Sequence, residues 1–411
     1  MDNILFFLKK IIPKPIYRFF QPVYHRLLAY SAATFYLFPG KKLKVIGITG
    51  TNGKTTVTHF LTNILEGAGE KVASISSLRF KIRSKEWRNE LKMTMPGRFA
   101  IQSFLAKAVK TGCRFAVVEV SSQGVLHNRH RFINFDTAVF TNLAPEHIEA
   151  HKSFENYKKC KLKFFEYVKN NHVLNREDGY FQEFHSIPAK NKIAYSSEDG
   201  RGIRLKLLGD FNIVNAMAAI KTAELYGVDS EKSKQVLEKI ESLPGRMEQI
   251  NEKGNFKVIV DYAHTPDSME AVYKSLKPKL AVGAKMICVF GATGGGRDKW
   301  KRPEYGKISE KYCDEIILTN EDPYDENPEK IMEEIFSGFS REKRNMENKN
   351  MLKIIDRKEA IEKGISLAKE NDIVIITGKG SETTMMVANG KKIHFDDRET
   401  AREELRKPEN F

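Results

Sequence analysis

The chain predicts an α/β fold made of two consecutive sheet-and-helix units behind a short helical segment, and three observations carry that expectation. First, apolar runs of strand length at 43–48, 71–76, 115–120 and 137–141 alternate with helical stretches such as 100–110, which argues for a mostly parallel sheet with helices on both faces. Second, the alternation restarts after Pro244-Gly245, with strands expected at 258–261, 286–290, 315–318 and 373–377 and helices at 328–336 and 358–369. Third, 41% of the 411 residues are hydrophobic, ample for two cores. The expected boundaries are 1–40 for the helical segment, 41–243 for the first unit and 244–411 for the second.

The first forty residues interleave Phe6, Phe7, Ile11, Ile16, Phe19, Phe20, Val23, Tyr24 and Leu27 with Lys9, Lys10, Lys14, Arg18 and Arg26, broken by Pro13, Pro15 and Pro22. No run is long enough to span a bilayer and no cleavage site follows a signal-like core. The pattern suits a peripheral helix that inserts apolar groups and attracts anionic lipid, and equally suits amphipathic helices packed on the body of the protein.

Lys plus Arg exceed Asp plus Glu by 15. This excess fits anionic partners such as nucleotides, phosphosugars or a membrane surface, and no nucleic-acid-binding motif accompanies it. Cys113, Cys160, Cys288 and Cys313 are scattered without metal or redox spacing, so reduced cytosolic thiols and no zinc site are expected.

The apolar run 43–48 feeds Gly47-Ile48-Thr49-Gly50-Thr51-Asn52-Gly53-Lys54-Thr55-Thr56, a G-x-x-G-x-x-G-K-T pattern opening a helix. Glycines let successive N–H groups converge on phosphate oxygens, and the helix N-terminus adds its positive dipole end. Lys54 would neutralise the outer phosphates and Thr55 would offer its hydroxyl to Mg²⁺. The plain alternative is a glycine turn joining a strand to a helix. Glu119 closes an apolar strand and should emerge at the same sheet edge, as a metal ligand or simply as the first exposed position. The next strand leads into Glu146-His147-Ile148-Glu149-Ala150-His151, a cluster of potential ligands.

Taken in order, the loop, Glu119-Val120-Ser121-Ser122, Thr141-Asn142-Leu143 with His147, and Tyr157-x-x-x-Lys161 followed by Phe164-Phe165 resemble the central domain of the Mur ligases. The resemblance continues through Gly209-Asp210-Phe211-Asn212-x-x-Asn215, Pro244-Gly245-Arg246-Met247-Glu248, Asp261-Tyr262-Ala263-His264-Thr265-Pro266, Gly294-Gly295-Gly296-Arg297-Asp298, Gly378-Lys379-Gly380-Ser381-Glu382 and Asp397-Arg398-Glu399. These segments point to the MurE-type branch, which adds a diamino acid to UDP-N-acetylmuramoyl-L-alanyl-D-glutamate in peptidoglycan synthesis.

The resemblance implies a central P-loop ATPase domain, a Rossmann-like C-terminal domain and a cytoplasmic enzyme, peripheral at the inner membrane face if residues 1–40 touch lipid. It further implies roles for individual residues. Gly50, Thr51, Asn52, Gly53, Lys54, Thr55 and Thr56 would hold the ATP phosphates, and Thr55 and Glu119 one Mg²⁺. His147 would bind a second Mg²⁺ with Lys161 as its carbamate, because CO₂ addition turns a repelling ammonium into anionic oxygens. Asn215, Arg246 and Asp261 would embrace the adenosine. Thr94, Ser121, Ser122 and Arg129 would face the carboxylate substrate, and Arg297, Asp322, Gly378 and Glu382 the acceptor. The implied reaction is amide formation through an acyl phosphate, with Lys54, His147 and Lys161 as the catalytic set.

Two departures accompany the resemblance. Only about forty residues precede the loop, too few for the family's uridine-binding domain, so the donor is expected to be handled differently or to lack uridine. The acceptor region reads Glu321-Asp322-Pro323-Tyr324 where diaminopimelate-adding relatives carry Asp-Asn-Pro-Arg, which favours a lysine-like acceptor because tyrosine cannot make arginine's bidentate pair. The glycine stretch 291–296 lacks dinucleotide spacing, against a nicotinamide enzyme. Folylpolyglutamate synthase-like glutamate ligation and a non-catalytic nucleotide-binding scaffold at the membrane stand as alternatives.

Overall fold

The computed structural model describes residues 14–91, 93–250, 255–345 and 350–407. The N-terminal pattern through Pro13 therefore lies outside the described residues. Two compact units divide the chain: 1–143, 155–203 and 213–237 form one, and 144–154, 204–212 and 238–411 the other.

In the first unit the strands are β1 (Lys44–Thr49), β2 (Val72–Ile75), β3 (Arg79–Ile82), β4 (Lys85–Arg88), β5 (Phe115–Glu119), β6 (Phe135–Phe140), β7 (Asn171–Asn175) and β8 (Asn191–Tyr195). They form one sheet in the order β4-β3-β2-β5-β1-β6-β7-β8. The pairs from β2 to β8 are parallel, and β3 and β4 add an antiparallel hairpin at the edge. The register sets Ile48 beside Glu119 and Thr49 beside Phe140, so the carboxyl ends of β1, β5 and β6 share one edge, the place where open α/β sheets collect ligands. β1 runs through Gly47, where a Cβ would meet the rings of Phe164 and Phe135 at 2.4 and 2.9 Å.

In the second unit β9 (Glu248–Gln249), β10 (Lys257–Asp261), β11 (Met286–Phe290), β12 (Glu315–Leu318), β13 (Met351–Lys353) and β14 (Ile373–Thr377) make a sheet ordered β13-β12-β11-β14-β10-β9. It is parallel except for β9. Strands β10, β11 and β14 are buried on both faces apart from Lys257, as expected of all-apolar runs covered by helices. A hairpin of β15 (Thr384–Met386) and β16 (Lys392–His394) follows. The expected alternation and mostly parallel sheets are thus present in both units.

The cysteines depart from expectation. Cys288 in β11 and Cys313, at the end of the Lys301–Tyr312 helix, form a disulfide with Cα atoms 6.0 Å apart. The crossover from β11 to parallel β12 returns the chain beside its start, so two cysteines 25 residues apart in sequence become neighbours. Cys113 and Cys160 are free and buried.

Candidate active site

β1 ends at Thr49 and the Lys54–Gly67 helix starts five residues later, with Gly53 at its N-cap in the left-handed region (φ 82°). A Cβ on Gly53 would stand 2.4 Å from the Asn215 side-chain oxygen. The carboxyl end of β6 braces the loop: the Thr51 N–H donates to the Asn142 carbonyl, the Asn52 N–H to Asn142 Oδ1 and the Thr141 hydroxyl to the Asn52 carbonyl, at 2.7–2.8 Å. Lys54 Nζ folds back to the carbonyls of Gly50 (3.1 Å) and Thr51 (2.7 Å). A loop held this way, with N–H groups at a helix start, is built for an anion.

Thr55 and Glu119 converge through Ser77, which sequence reading did not single out. The Thr55 hydroxyl lies 2.8 Å from Ser77 Oγ, and Glu119 Oε1 accepts from the Ser77 N–H at 3.1 Å. Two hydroxyls and a buried carboxylate at one sheet edge are hard oxygen donors that suit Mg²⁺. Lys161, nearly inaccessible, donates to the Gly50 carbonyl at 2.5 Å and lies over the Tyr157 ring, whose hydroxyl meets Thr51 at 3.1 Å. Thr56 is buried in the first turn of the helix.

Ser121 caps the short Ser122–Leu126 helix by accepting from the Gly124 N–H, and Ser122 is buried beside it. Arg129 Nη1 donates to the Met95 carbonyl at 2.6 Å, which sets it beside the residue that follows Thr94. Burial depresses the Arg129 guanidinium below its ordinary range.

In the second unit Asp261 closes β10 and accepts from the N–H groups of Met247 and Ala263, both at 2.7 Å. Burial raises its pKa, with Arg246 and the two donors opposing. Arg246 stacks 4.2 Å from the Tyr262 ring centroid, next in sequence to Asp261. His147 has left-handed backbone (φ 53°). Its N–H donates to Asp298 at 2.7 Å, and Glu146, His147 and Asp298 present ligand atoms within 4.8 Å of one another. Lys301 reaches Glu146 at 2.6 Å and Asp298 at 3.3 Å. Burial pushes Asp298 up, but Lys301 and the amide donors outweigh it and hold the carboxyl low. The pairing of Asp298, already part of the Gly294–Asp298 motif, with His147 was not foreseen, nor was Lys301, because both lie some 150 residues from His147 in sequence.

At the carboxyl ends of β12 and β14, Lys379 bridges Asp322 (3.0 Å) and Glu382 (2.9 Å). A Cβ on Gly378 would meet Glu321 at 2.4 Å. Arg297 Nη2 donates to the Tyr324 hydroxyl at 3.0 Å and lies 5.1 Å from its ring centroid. Arg297, Asp322, Gly378 and Glu382, expected at the acceptor, are thus placed within one unit around Tyr324 and Lys379.

The Mur ligase middle domain matches residues 48–204, and the Mur ligase glutamate ligase domain matches 245–380. A UDP-N-acetylmuramoyl-L-alanyl-D-glutamate–2,6-diaminopimelate ligase of Syntrophomonas wolfei is 37% identical over 409 residues, covering 92% of this chain and 81% of the relative. The chain belongs to the Mur ligase family.

The Aquifex aeolicus protein of the same name is also 37% identical, over 404 residues. Among solved structures, one ligase of that name aligns with TM-score 0.60 at 27% identity, covering 94% of this Mur ligase and 82% of that chain. A folylpolyglutamate synthase of Mycobacterium tuberculosis aligns at TM-score 0.67 with 16% identity and shares the fold. Members of the family are ATP-dependent ligases that use Mg²⁺.

Proposed function

We propose that this Mur ligase forms an amide by activating a substrate carboxylate with ATP and capturing it with a diamino acid, in the synthesis of a muramoyl-peptide. The observation that carries the reading is the braced Gly50–Gly53 loop with Lys54, beside Thr55, Ser77 and Glu119 at one sheet edge. Lys54 and the loop N–H groups hold the phosphates and Asn215 the nucleoside, with Arg246 and Asp261 also assigned to adenosine. Thr55 and Glu119 are assigned to one Mg²⁺, and His147 with a carbamylated Lys161 to a second; the metal supplies charge neutralisation at the transferring phosphoryl group. The carboxylate, positioned by Ser121, Ser122, Arg129 and Thr94, attacks the γ-phosphate and releases ADP, and the amine then displaces phosphate from the acyl phosphate, losing a proton as the amide forms. The domain limits are taken as 41–243 and 244–411.

For the acceptor we assign Arg297 to the α-carboxylate, with Asp322, Gly378 and Glu382 around the remainder, and a lysine-like preference over meso-diaminopimelate. The enzyme is placed in the cytoplasm, with residues 1–40 as a peripheral contact at the inner membrane face. No described helix is long and apolar enough to cross a membrane.

The deciding experiment is phosphate release from ATP with UDP-N-acetylmuramoyl-L-alanyl-D-glutamate and lysine, meso-diaminopimelate or no amino acid. Release stimulated by an amino acid, with matching amide product, supports the ligase; no stimulation with this donor redirects the search to a donor without uridine. Lys54→Ala should abolish turnover in a ligase, whereas partner tethering that survives it in a protein without turnover would favour the scaffold role instead.

A further inference from the structure

The Lys14–Phe35 helix is packed the wrong way round for a helix that only completes a core. Its inner face buries Ala29, Ala32 and Ala33, each at most 2% exposed, while Val23, Leu27 and Tyr30 on the opposite side are 56%, 61% and 51% exposed. Positions 23, 27 and 30 fall at i, i+4 and i+7, one stripe of a helix. Phe35 (72%) and Leu37 (78%), at and just beyond the C-terminal end of the helix, are exposed too, and the Phe35 ring lies 6.2 Å from that of Phe99.

The helix is also fixed in place. It packs on the Arg98–Lys110 helix. His25 Nε2 lies 3.0 Å from His127 Nδ1, and the Tyr30 ring meets Phe132 edge-on at 5.4 Å. The outward stripe is therefore a fixed feature of the first unit. Contiguous apolar surface held open to water marks a binding face.

Charge identifies the occupant. Residues 1–44 contain Lys9, Lys10, Lys14, Arg18, Arg26, Lys41, Lys42 and Lys44 against Asp2 alone. Arg26, Lys41 and Lys42 are exposed. Exposed apolar and aromatic side chains in a segment with this excess of cations match an anionic bilayer surface, which takes the former into the acyl boundary and attracts the latter. We propose that the Val23–Leu27–Tyr30 face, with Phe35 and Leu37, is a docking surface for anionic lipid that holds this ligase flat on the membrane. The proposal rests on the reading of residues 1–40 as a peripheral contact and specifies the face that makes it.

Flotation of the full chain with vesicles of phosphatidylcholine alone, or of equal parts phosphatidylcholine and phosphatidylglycerol, tests it. The wild type is expected to float with the anionic vesicles, at least about tenfold better than with neutral ones, and to detach in high salt. Val23→Asp/Leu27→Asp should cut binding about tenfold or more with an unchanged unfolding midpoint. Should that pair fail to fold, Arg26→Glu/Lys41→Glu/Lys42→Glu provides the same test through charge. Wild type that stays unbound overturns both the face and the peripheral contact. Variants that float as well as wild type overturn the face and leave the contact to other residues of the segment. A lipid-free dimer broken by the Asp pair would identify a second copy as the occupant and overturn the proposal. ATP turnover with soluble substrate, measured alongside, reports on the ligase reading independently.

Discussion

Arg357 and Asp397 form a two-point ion pair with neither side chain exposed: Nε donates to Oδ1 at 2.7 Å and Nη2 to Oδ2 at 2.8 Å. The same guanidinium donates to the carbonyls of Asn320 and Thr377. It therefore ties the C-terminal Asp397–Glu404 helix to the ends of β12 and β14, immediately before Glu321-Asp322 and Gly378-Lys379. Removing one partner strands a buried charge. Asp397→Ala is expected to cost about 3–5 kcal/mol, read as a lower urea midpoint. Arg357→Met/Asp397→Leu should recover part of that stability, while acceptor KM stays raised because the carbonyl ties are gone.

Gly53 sits where only a residue without Cβ fits. At φ 82° a side chain is strained, and its Cβ would lie 2.4 Å from Asn215 Oδ1. Gly53→Ala should displace both the loop and Asn215. A displacement of that size is expected to lower ATP turnover about 100-fold or more with little change in the far-UV spectrum; wild-type turnover would refute the phosphate-loop assignment.

Three histidines make the fold acid-sensitive. Burial holds His59, His130 and His264 down at about 3, with Arg79 and Lys81 adding at His59, Arg131 at His130 and Lys301 at His264. The unfolded chain takes up these protons near pH 6.5, whereas the folded chain resists them. Stability is complete above 6.5 and falls as the pH drops toward 3, at up to about 1.4 kcal/mol per pH unit for each histidine. His130 lies among Phe164 and Tyr167, so His130→Phe keeps an aromatic ring there. Urea midpoints measured from pH 7 to pH 4 should fall less steeply in that variant, by about one proton's worth of slope.

Much of this was legible in the chain because it is local. The strands at 115–119 and 373–377 are continuous apolar runs, and the loop before Lys54 declares itself through glycine spacing. What escaped depended on distant partners. β7 begins and ends in asparagines that are satisfied inside the fold, Asn171 by Asp136 and Asn175 by the Thr141 carbonyl, so its composition hides a buried strand. The β3–β4 hairpin carries charges on nearly every second residue. Ser77 joins Glu119 in the first unit, and Asp298 and Lys301 join Glu146 and His147 in the second, only once segments far apart in sequence are brought together, and the Cys288–Cys313 bridge needs the crossover between β11 and β12.

Tyr324 carries the specificity prediction. It has left-handed backbone (φ 53°), sits 3.0 Å by its hydroxyl from Arg297, and lies beside the Lys379 bridge between Asp322 and Glu382. An acceptor with a distal carboxylate would need a cation here, and the phenol is not one. An acceptor with a distal ammonium meets local acidity instead, once it competes with Lys379 for Glu382. The wild-type kcat/KM is therefore expected to favour lysine over meso-diaminopimelate. Tyr324→Arg should shift that ratio toward meso-diaminopimelate by about 10- to 100-fold, the worth of one charge-assisted bidentate contact of roughly 1.5–3 kcal/mol. Preference for meso-diaminopimelate in the wild type would show that another cation reads the distal carboxylate, and Tyr324→Phe, which breaks only the Arg297 hydrogen bond, would then report whether Arg297 is that cation.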